Sequence, residues 1–508
     1  MSAKIYSIAI IGLDGHLVEV EADVSAQQPA FIIVGLGDAA IQEAKERVRL
    51  AIKNSQALFP RPKLTVNLAP ADLKKTGPNF DLAMAVAILT TNRQFKIVKE
   101  DLRAIFVGEL SLDGKLRPIN GVLAVAIYAQ GQGFKRLYLP EQNAAEASLI
   151  PDLEIYPVNN LKQLINHLRG KERINLYQDR PLDKQTIKNY ETDLSFIKGQ
   201  EQAKRALEIS AAGGHNLLFS GPPGSGKTLL ARTLPTILPD LTLIESLEVT
   251  KIYSVAGCLK KQEPLIWQRP FRSPHHSASL PSLVGGGSIP KPGEITLAHR
   301  GVLFLDEFPE FPRSVLDSLR QPLEDRVITI ARVQHSLTYP ANFILVASMN
   351  PCPCGYLSDP ERDCRCTSRQ IYNYQKKISG PLLERIDICL EVPKVKYEKL
   401  IDDSPKETSS QVRERVMTAR QIQLSRFKNK KFNILVNAEM KPQDISKFCP
   451  VDEAGKKLLQ IAAEQLKLSA RAFHRVLKMS RTIADLAGSE KICNNHLAEA
   501  LQYRTKIE

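Results

Sequence analysis

The fold of this chain is decided by the stretch Asn216-Leu-Leu-Phe-Ser220-Gly-Pro-Pro-Gly-Ser-Gly-Lys227-Thr228. It opens as an apolar strand, Asn216–Ser220, continues as a glycine-rich loop, and leads into the helix-like segment Leu229–Leu234. A strand, a glycine-rich loop and a helix in this order are typical of the phosphate-binding P-loop. The stretch therefore predicts a nucleotide site at the end of a parallel strand that is covered on both faces.

The loop offers the groups that a nucleoside triphosphate needs. Glycines let backbone N–H groups turn toward the phosphates, and the start of the following helix adds a dipole end that favours anions. We expect Lys227 to reach the β- and γ-phosphates of ATP and the Thr228 hydroxyl to bind Mg²⁺. The predicted ATP-binding residues of the loop are Gly221, Pro222, Pro223, Gly224, Ser225, Gly226, Lys227 and Thr228.

Two adjacent carboxylates follow a second apolar strand, Gly301–Leu305. Because ligands of open α/β sheets gather at the carboxyl ends of the strands, Asp306 and Glu307 are expected to face the same nucleotide. Asp306 suits the coordination sphere of Mg²⁺, and Glu307 is the candidate base that polarises the attacking water. Alone, such a pair is more often a solvated strand end. Together with the P-loop it predicts hydrolysis of ATP.

Two further polar residues are candidates for this reaction. A third strand, Phe343–Ser348, is followed by Asn350, which can orient the attacking water from there. In many phosphoryl-transfer enzymes a neighbouring subunit supplies an arginine against the charge on the γ-phosphate. Arg385 is our candidate for that arginine finger. The alternative is a surface ion pair of Arg385 with Glu384 or Asp387, which would contribute little to stability.

Motifs spread over nearly the whole chain resemble one branch of the AAA+ ATPases, the magnesium-chelatase-like competence proteins. They are Lys198-Gly-Gln-Glu-Gln-Ala-Lys204, Ala212-Gly-Gly-His-Asn216, Arg272-Ser-Pro-His-His276, Gly285-Gly-Gly287, Asn350-Pro-Cys-Pro-Cys-Gly355 and Arg481-Thr-Ile-Ala-Asp-Leu486. The resemblance implies a hexameric ring that moves DNA through its centre as a branch-migration helicase during integration of transforming DNA.

The resemblance also assigns sensor and DNA-contact positions. Asn350 corresponds to the first sensor, and Arg471 to the second, with a solvated helix face as the alternative for Arg471. DNA contacts are expected in two inserts, roughly Val249–Arg300 and the hairpin-like Val327–Pro340. Within them the candidates to face phosphates are Lys291 and Arg332, although loops of this kind are solvated by default.

At 508 residues the chain exceeds the size of a single core and is expected to form several domains. We predict a multidomain α/β protein. Its parts are an N-terminal α+β domain at 1–170, a linker at 171–193, an AAA+ P-loop core with a parallel sheet at 194–395, and a C-terminal helical lid at 396–508.

The N-terminal region resembles the Lon-protease-like domain but lacks both groups of that family's dyad. Where the family has a nucleophilic serine, this sequence has Gly77-Pro-Asn79, and Leu123 stands at the position of the basic lysine. Without nucleophile and base, no activated dyad can form. We interpret the domain as a platform for assembly or for DNA.

Four of the eight cysteines are clustered, at Cys352, Cys354, Cys364 and Cys366. Four thiolates are enough for a closed tetrahedral Zn²⁺ site, although spacing of one residue within each pair is tighter than usual. Free thiols or redox pairing are the alternative. The other four cysteines are scattered among apolar neighbours and are expected to be buried.

The charge balance favours a polyanionic partner. There are 69 Lys and Arg against 55 Asp and Glu, a net charge of +14, and DNA, single-stranded or branched, is the leading candidate. Recombination proteins are possible further partners. No apolar run approaches the length of a membrane span, so we expect no membrane contact and a cytoplasmic protein. The alternatives are a chelatase-like ATPase that remodels a protein partner without DNA, and a scaffold that does not hydrolyse ATP.

Overall fold

The computed structural model describes residues 3–35, 39–73, 75, 77–95, 101, 103–178, 190–260, 263–287, 291–331, 336–357, 359, 361–395, 399, 406–428, 434–466 and 468–504. The chain forms two compact units. The first unit contains residues 1–185, 243–266 and 287–292, and the second unit contains residues 186–242, 267–286 and 293–508.

The strands in chain order are β1 (Ala3–Ile11), β2 (Asp14–Ser25), β3 (Phe31–Val34), β4 (Lys63–Ala69), β5 (Ala104–Phe106), β6 (Glu109–Leu110), β7 (Leu116–Arg117), β8 (Arg136–Pro140), β9 (Glu154–Val158), β10 (Leu217–Ser220), β11 (Phe271–Arg272), β12 (Gly285–Gly286), β13 (Lys291–Pro292), β14 (Val302–Leu305), β15 (Val327–Ala331), β16 (Ser336–Pro340), β17 (Ile344–Met349) and β18 (Ile388–Glu391).

The helices in chain order are α1 (Ala39–Asn54), α2 (Asp81–Thr91), α3 (Val122–Gly131), α4 (Ala144–Ala147), α5 (Leu161–Leu168), α6 (Glu201–Gly213), α7 (Lys227–Ile237), α8 (Leu243–Ala256), α9 (Leu280–Val284), α10 (Glu294–Leu297), α11 (Arg313–Ser318), α12 (Arg320–Asp325), α13 (Ser368–Gln375), α14 (Gly380–Leu383), α15 (Ser409–Phe427), α16 (Pro442–Phe448), α17 (Glu453–Gln465), α18 (Ala470–Leu486) and α19 (Asn494–Gln502).

The first unit is built on a mixed sheet of seven strands in the order β3-β4-β2-β1-β5-β8-β9. β2 pairs antiparallel with β1 and β4, while the run β1-β5-β8-β9 is parallel. α2 and α3 are apolar over nearly their whole length and are largely buried, because each lies within a core of this unit. The predicted α+β pattern of the N-terminal region is confirmed.

Helix α8 belongs to the first unit although it follows the P-loop helix in sequence. Its Ser254 donates to the buried carboxylate of Glu146, whose other hydrogen bonds include one from the backbone N–H of Leu123 at 2.8 Å. Burial raises the pKa of Glu146, and these donors act against that rise. The insert expected at Val249–Arg300 is therefore divided: residues 249–266 and 287–292 belong to the first unit, and residues 267–286 and 293–300 belong to the second.

The second unit has a fully parallel sheet of five strands in the order β11-β14-β17-β10-β18. The central strands β14, β17 and β10 are apolar and almost entirely buried, as expected for a sheet covered on both faces. Helices α15 and α18 contribute side chains to the same hydrophobic core as α6, α7 and the sheet. The helical C-terminal region therefore shares one core with the strands that carry the P-loop.

Most of the segments predicted from sequence are confirmed within a few residues. The hairpin at Val327–Pro340 is the antiparallel pair β15 and β16, but its candidate Arg332 lies outside the described residues. The expectation of buried scattered cysteines is wrong for Cys258 and Cys493, which are exposed. Within the part of the chain that the structure describes, every helix is too short or too polar to cross a bilayer.

Candidate functional site

The P-loop connects β10 to α7 in the order that the sequence predicts. Gly226 has φ +86° and caps the start of α7 in the left-handed region, where glycine pays no steric penalty. A Cβ on Gly221 would lie 2.2 Å from the carbonyl oxygen of Val392, so only glycine fits this close approach of two backbones. Both glycines are therefore required by the shape of the loop.

Lys227 is the first residue of α7, and its side chain folds back over the loop. Its Nζ donates to the carbonyl oxygens of Gly221 at 2.7 Å and Pro222 at 2.9 Å, and lies 3.5 Å from Oδ1 of Asn350. Burial lowers the pKa of Lys227, while the charge of Asp306 acts in the opposite direction. The structure thus brings the ammonium group and Asn350 together at the loop.

Thr228 and Asp306 meet at the carboxyl ends of the sheet. The Thr228 hydroxyl donates to Oδ2 of Asp306 at 2.9 Å, and the hydroxyl of Ser348 donates to the other carboxylate oxygen. Two neighbouring ligands of octahedral Mg²⁺, each about 2.1 Å from the metal, lie about 2.9 Å apart. Thr228 and Asp306 therefore have the spacing and the oxygen chemistry of a pair of magnesium ligands.

Glu307 has a positive φ of 52°, which a residue other than glycine rarely adopts. Its Oε2 lies 3.1 Å from Nδ1 of His276, whose ring is 4.0 Å from that of His275. Outliers of this kind cluster at functional sites, where the surroundings hold them in place. His276 is thus the neighbour that contacts the carboxylate of the candidate base.

The role of His276 was not predicted from the sequence. It follows the short strand β11, and 31 positions separate it from Glu307, so no local pattern links the two residues. The only signal was the presence of His275 and His276 in one of the motifs that carry the family resemblance. A histidine beside the end of a strand of the same sheet would have been a reasonable second candidate.

Replacing His276 by alanine is expected to lower kcat for ATP hydrolysis by about tenfold, because Glu307 loses the group that orients it. KM for ATP should change little, since His276 is not among the phosphate-binding residues. Steady-state kinetics would measure both. His275→Ala is the matched control, because Nδ1 of His275 bonds Ser277. An equal loss in both variants would contradict a specific role for His276.

Arg385 lies at the opposite edge of the sheet from its own P-loop. Its backbone carbonyl accepts from Nδ2 of Asn216 at 3.1 Å, and Asn216 directly precedes β10, whereas the P-loop follows that strand. A strand of this length separates the two edges by about 16 Å. Arg385 therefore cannot act on the nucleotide of its own P-loop without a large movement.

The structure pairs Arg385 with neither Glu384 nor Asp387, the two ion-pair partners considered from the sequence. Its Nη2 forms an ion pair with Glu324, and the same carboxylate lies 3.4 Å from Nη2 of Arg471. Asp387 instead pairs with Arg475 and His215. Burial acts to raise the pKa of Asp387, but these two partners hold that pKa below its usual range. The structure thus brings the two candidate arginines together around Glu324.

The four clustered cysteines converge on one point. All four Sγ atoms lie within 4.8 Å of one another, and Cys352, Cys354 and Cys364 are separated by 3.3 to 3.6 Å. Sulfur atoms around tetrahedral zinc, at Zn–S distances of about 2.3 Å, lie about 3.8 Å apart. Hydrogen bonds from the backbone of Tyr356 and Arg365 lower the pKa of Cys354 to about 6, which favours its thiolate, whereas desolvation and the neighbouring thiols raise the pKa values of Cys364 and Cys366. The cluster, completed by Cys366, fits a structural zinc site.

The cysteine cluster is packed beside the nucleotide loop. A Cβ on Gly355, between the two cysteine pairs, would lie 2.7 Å from Cδ of Pro223, and Gln375 donates to the carbonyl of Pro351 at 3.2 Å. Asn350 immediately precedes this turn. The shape of the turn therefore bears directly on where Asn350 stands.

We expect purified protein to contain about one zinc per chain, because a closed site of four thiolates binds zinc tightly. Elemental analysis measures this. Cys354→Ser should lose most of the metal and melt at a lower temperature, whereas the control Cys258→Ser removes an exposed cysteine of the other unit and should keep it. Less than about half an equivalent in the unchanged protein would favour free thiols.

Three family profiles match successive parts of the chain. They are described as magnesium chelatase, subunit ChlI, over residues 193–400; subunit ChlI of Mg-chelatase, over residues 20–143; and magnesium chelatase, subunit ChlI C-terminal, over residues 406–504. The first covers the P-loop sheet and both carboxylates.

Individual relatives match over almost their full length. The chain is 44% identical to competence protein ComM of Haemophilus influenzae, over 99% of this chain and 98% of that protein. It is 42% identical to the uncharacterized protein YifB of Salmonella typhimurium, over 99% of this chain and 97% of that protein. A similarity of 32% to Lon protease of Rhizobium meliloti covers 22% of this chain and 14% of the protease.

These similarities and the sheet topology confirm the predicted fold class. The chain combines an N-terminal Lon-protease-like α+β region, a P-loop α/β core with a parallel sheet, and a helical C-terminal region.

Proposed function

This chain belongs to the magnesium-chelatase-like AAA+ ATPases of which competence protein ComM is a member, and from that premise we propose that it is a DNA motor. It would use ATP hydrolysis to drive branch migration, as a helicase, during the integration of transforming DNA by homologous recombination. The single observation that carries the motor part is the meeting of Lys227, Thr228, Asp306 and Glu307 at one edge of the sheet.

The proposed hydrolysis follows from these side chains. Backbone N–H groups of the loop and the Lys227 ammonium would hold the β- and γ-phosphates, and Thr228 and Asp306 would hold Mg²⁺, which neutralises phosphate charge when bound. Glu307 would take up a proton from the attacking water, while Asn350 fixes the direction of that water. Each of these side chains contacts the neighbouring groups described above.

The proposed assembly is a ring of copies, in which each nucleotide pocket is completed by the next copy. This is supported by the position of Arg385 and Arg471 at the edge of the sheet away from their own P-loop. An arginine there can stabilise the developing charge only on a nucleotide of another copy. We propose a homo-hexamer, on the family resemblance.

DNA is proposed as the substrate for three reasons. The chain carries a net charge of +14, a similar protein is named for competence, and the antiparallel β15–β16 hairpin of the second unit exposes Thr329 and Thr338. Lys291 is exposed in the first unit and remains a candidate for a phosphate contact. We further propose that the domains have the boundaries 1–170, 171–193, 194–395 and 396–508. We also propose a cytoplasmic location and contacts with recombination proteins.

A second candidate function is the remodelling of a protein partner without DNA. It is favoured by the match of all three parts of the chain to descriptions of a magnesium chelatase subunit. The two functions differ in what stimulates ATP hydrolysis. A motor on DNA turns over faster when DNA is bound, whereas a chelatase-like ATPase responds to a protein.

The test is ATPase activity with and without single-stranded and branched DNA, together with branch migration on three- and four-stranded substrates. We expect DNA to stimulate hydrolysis, and migration to need ATP and to stop with a non-hydrolysable analogue. Basal hydrolysis that no DNA stimulates, with no migration, would support the protein-remodelling function instead.

A further inference from the structure

Glu324 is the acidic residue that connects Arg385, the candidate arginine finger, with Arg471, the candidate second sensor. It lies near the end of α12, and each of its carboxylate oxygens faces a different partner: Oε2 the Nη2 of Arg385, and Oε1 the Nη2 of Arg471. Arg385 and Arg471 are 86 positions apart in the chain and sit on different elements, α14 with its following turn and α18. One carboxylate thus contacts two guanidinium groups and balances only one of their two positive charges.

The shared contact holds Arg385 against its own chain. Its side chain is only 12% exposed, and Nη1 donates to the carbonyl oxygen of Pro381 at 2.6 Å. Among the described residues its buried Nε has no hydrogen-bond partner, so this arrangement leaves one donor unsatisfied, at a cost in free energy. An arginine in this position has to leave Glu324 before it can reach across to the phosphate of a neighbouring copy.

Glu324 is also close in sequence to the hairpin that we propose to contact DNA. Arg326 ends α12 in the left-handed region, at φ 58°, and β15 begins at the next residue. The base of the hairpin is fixed: Arg326 pairs with Glu439 at 2.7 Å, and its carbonyl oxygen accepts from the N–H of Ala341 at 2.7 Å. Because Arg326 connects the end of α12 directly to β15, a tilt of the hairpin would be passed to the end of α12.

We infer that Glu324 is a positioning residue that holds Arg385 and Arg471 away from the nucleotide of the neighbouring copy until DNA on the β15–β16 hairpin moves it. The inference rests on the proposed function of the chain as a ring-forming DNA motor. Once Glu324 moves, the two guanidinium groups exchange its single carboxylate for the γ-phosphate, which carries more charge and more acceptor oxygens. Hydrolysis is thereby slow in the absence of DNA and faster in its presence.

The experiment compares ATP turnover of the full-length protein and of Glu324→Gln, which keeps the shape of the side chain and removes its charge. Without DNA, the variant is expected to hydrolyse ATP about threefold faster. Two partly exposed ion pairs shift the equilibrium between held and released arginines by about this factor. With saturating single-stranded DNA, the two proteins should have similar rates. The ratio of stimulated to basal turnover therefore falls, which a purely structural role of Glu324 would not produce.

Three further proteins sharpen the test. Glu324→Ala should repeat the result if melting temperatures show that Glu324→Gln is damaged. Asp317→Asn is the matched control, because Asp317 on α11 also contacts two arginines, Arg313 and Arg320, and its ratio should not change. The double variant with Arg385→Ala should lose the rise in basal turnover, since the rise depends on a released finger.

Two results would overturn the inference: a basal rate that is unchanged or lower in folded Glu324 variants with an unchanged ratio, or an equal fall of the ratio in Asp317→Asn. Failure of the proposed function looks different. If the unchanged protein does not respond to any DNA, the DNA motor is wrong, and a rise in basal turnover of Glu324→Gln would still support the restraint on the arginines.

Discussion

Lys227→Ala is expected to reduce ATP hydrolysis by a factor of about a hundred to a thousand, the usual effect of removing one group that stabilises charge in the transition state. The ammonium now lies 2.7 and 2.9 Å from two loop carbonyls, and a bound triphosphate offers stronger, charged acceptors at the same place. Branch migration should disappear along with hydrolysis. Phosphate release and strand-displacement assays measure the two activities.

The control for Lys227→Ala is Lys456→Ala, which removes a lysine that pairs with Glu453 on the exposed face of α17. This control should keep both activities. The loss in Lys227→Ala should occur without loss of fold, so melting temperature and assembly state need to match the unchanged protein. Normal migration by a folded Lys227→Ala protein would refute the ATP-driven mechanism.

Arg385→Ala is expected to lower hydrolysis by about a thousandfold, within the range that arginine fingers supply, while ATP still binds. A mixture of the Lys227→Ala and Arg385→Ala proteins tests whether the arginine acts between copies. Lys227→Ala lacks a working pocket but keeps Arg385, and Arg385→Ala has the reverse defect. In mixed rings, some pockets with an intact Lys227 face an intact Arg385, so mixing the two inactive proteins should restore part of the activity.

The control for complementation is a mixture of Arg385→Ala with the double variant Lys227→Ala/Arg385→Ala, which contains no intact finger and should stay inactive. ATP binding, followed with a fluorescent analogue, should be normal for Arg385→Ala alone. If the mixture of single variants stays inactive although mixed rings form, the arginine does not act between copies.

The parts of the candidate site that depend on short segments are those for which the sequence alone supports a prediction. The strand, loop and helix around Lys227 can be predicted from the local sequence, because the glycine spacing and the apolar residues determine them. Asp306 and Asn350 follow from the same reasoning, since each comes directly after a buried parallel strand. The candidate residues of the pocket can therefore be identified before any tertiary contact is known.

Contacts between distant segments are not predictable in this way. Glu324 meets Arg385 over 61 positions and Arg471 over 147. Helix α8 looks like part of an insert in the P-loop core, yet its Ser254 bonds Glu146 in the first unit. An exposed glutamate near a helix end and a polar residue on an apolar helix have many possible partners, and only the packing of the whole chain selects one.

Asn216 ties together three strands at the amino edge of the second sheet. It accepts from the N–H of Leu345 at 2.9 Å, exchanges backbone and side-chain hydrogen bonds with Asp387, and holds the carbonyl of Arg385. The strand that begins beside Arg385 is β10, which ends at the P-loop, so one short strand joins the proposed arginine finger of a copy to the P-loop of the same copy. In the proposed ring, every copy would supply an arginine to one neighbour and receive an arginine from the other. ATP hydrolysis would then proceed from each copy to the next in one direction around the ring, and no additional component would be needed to set its order.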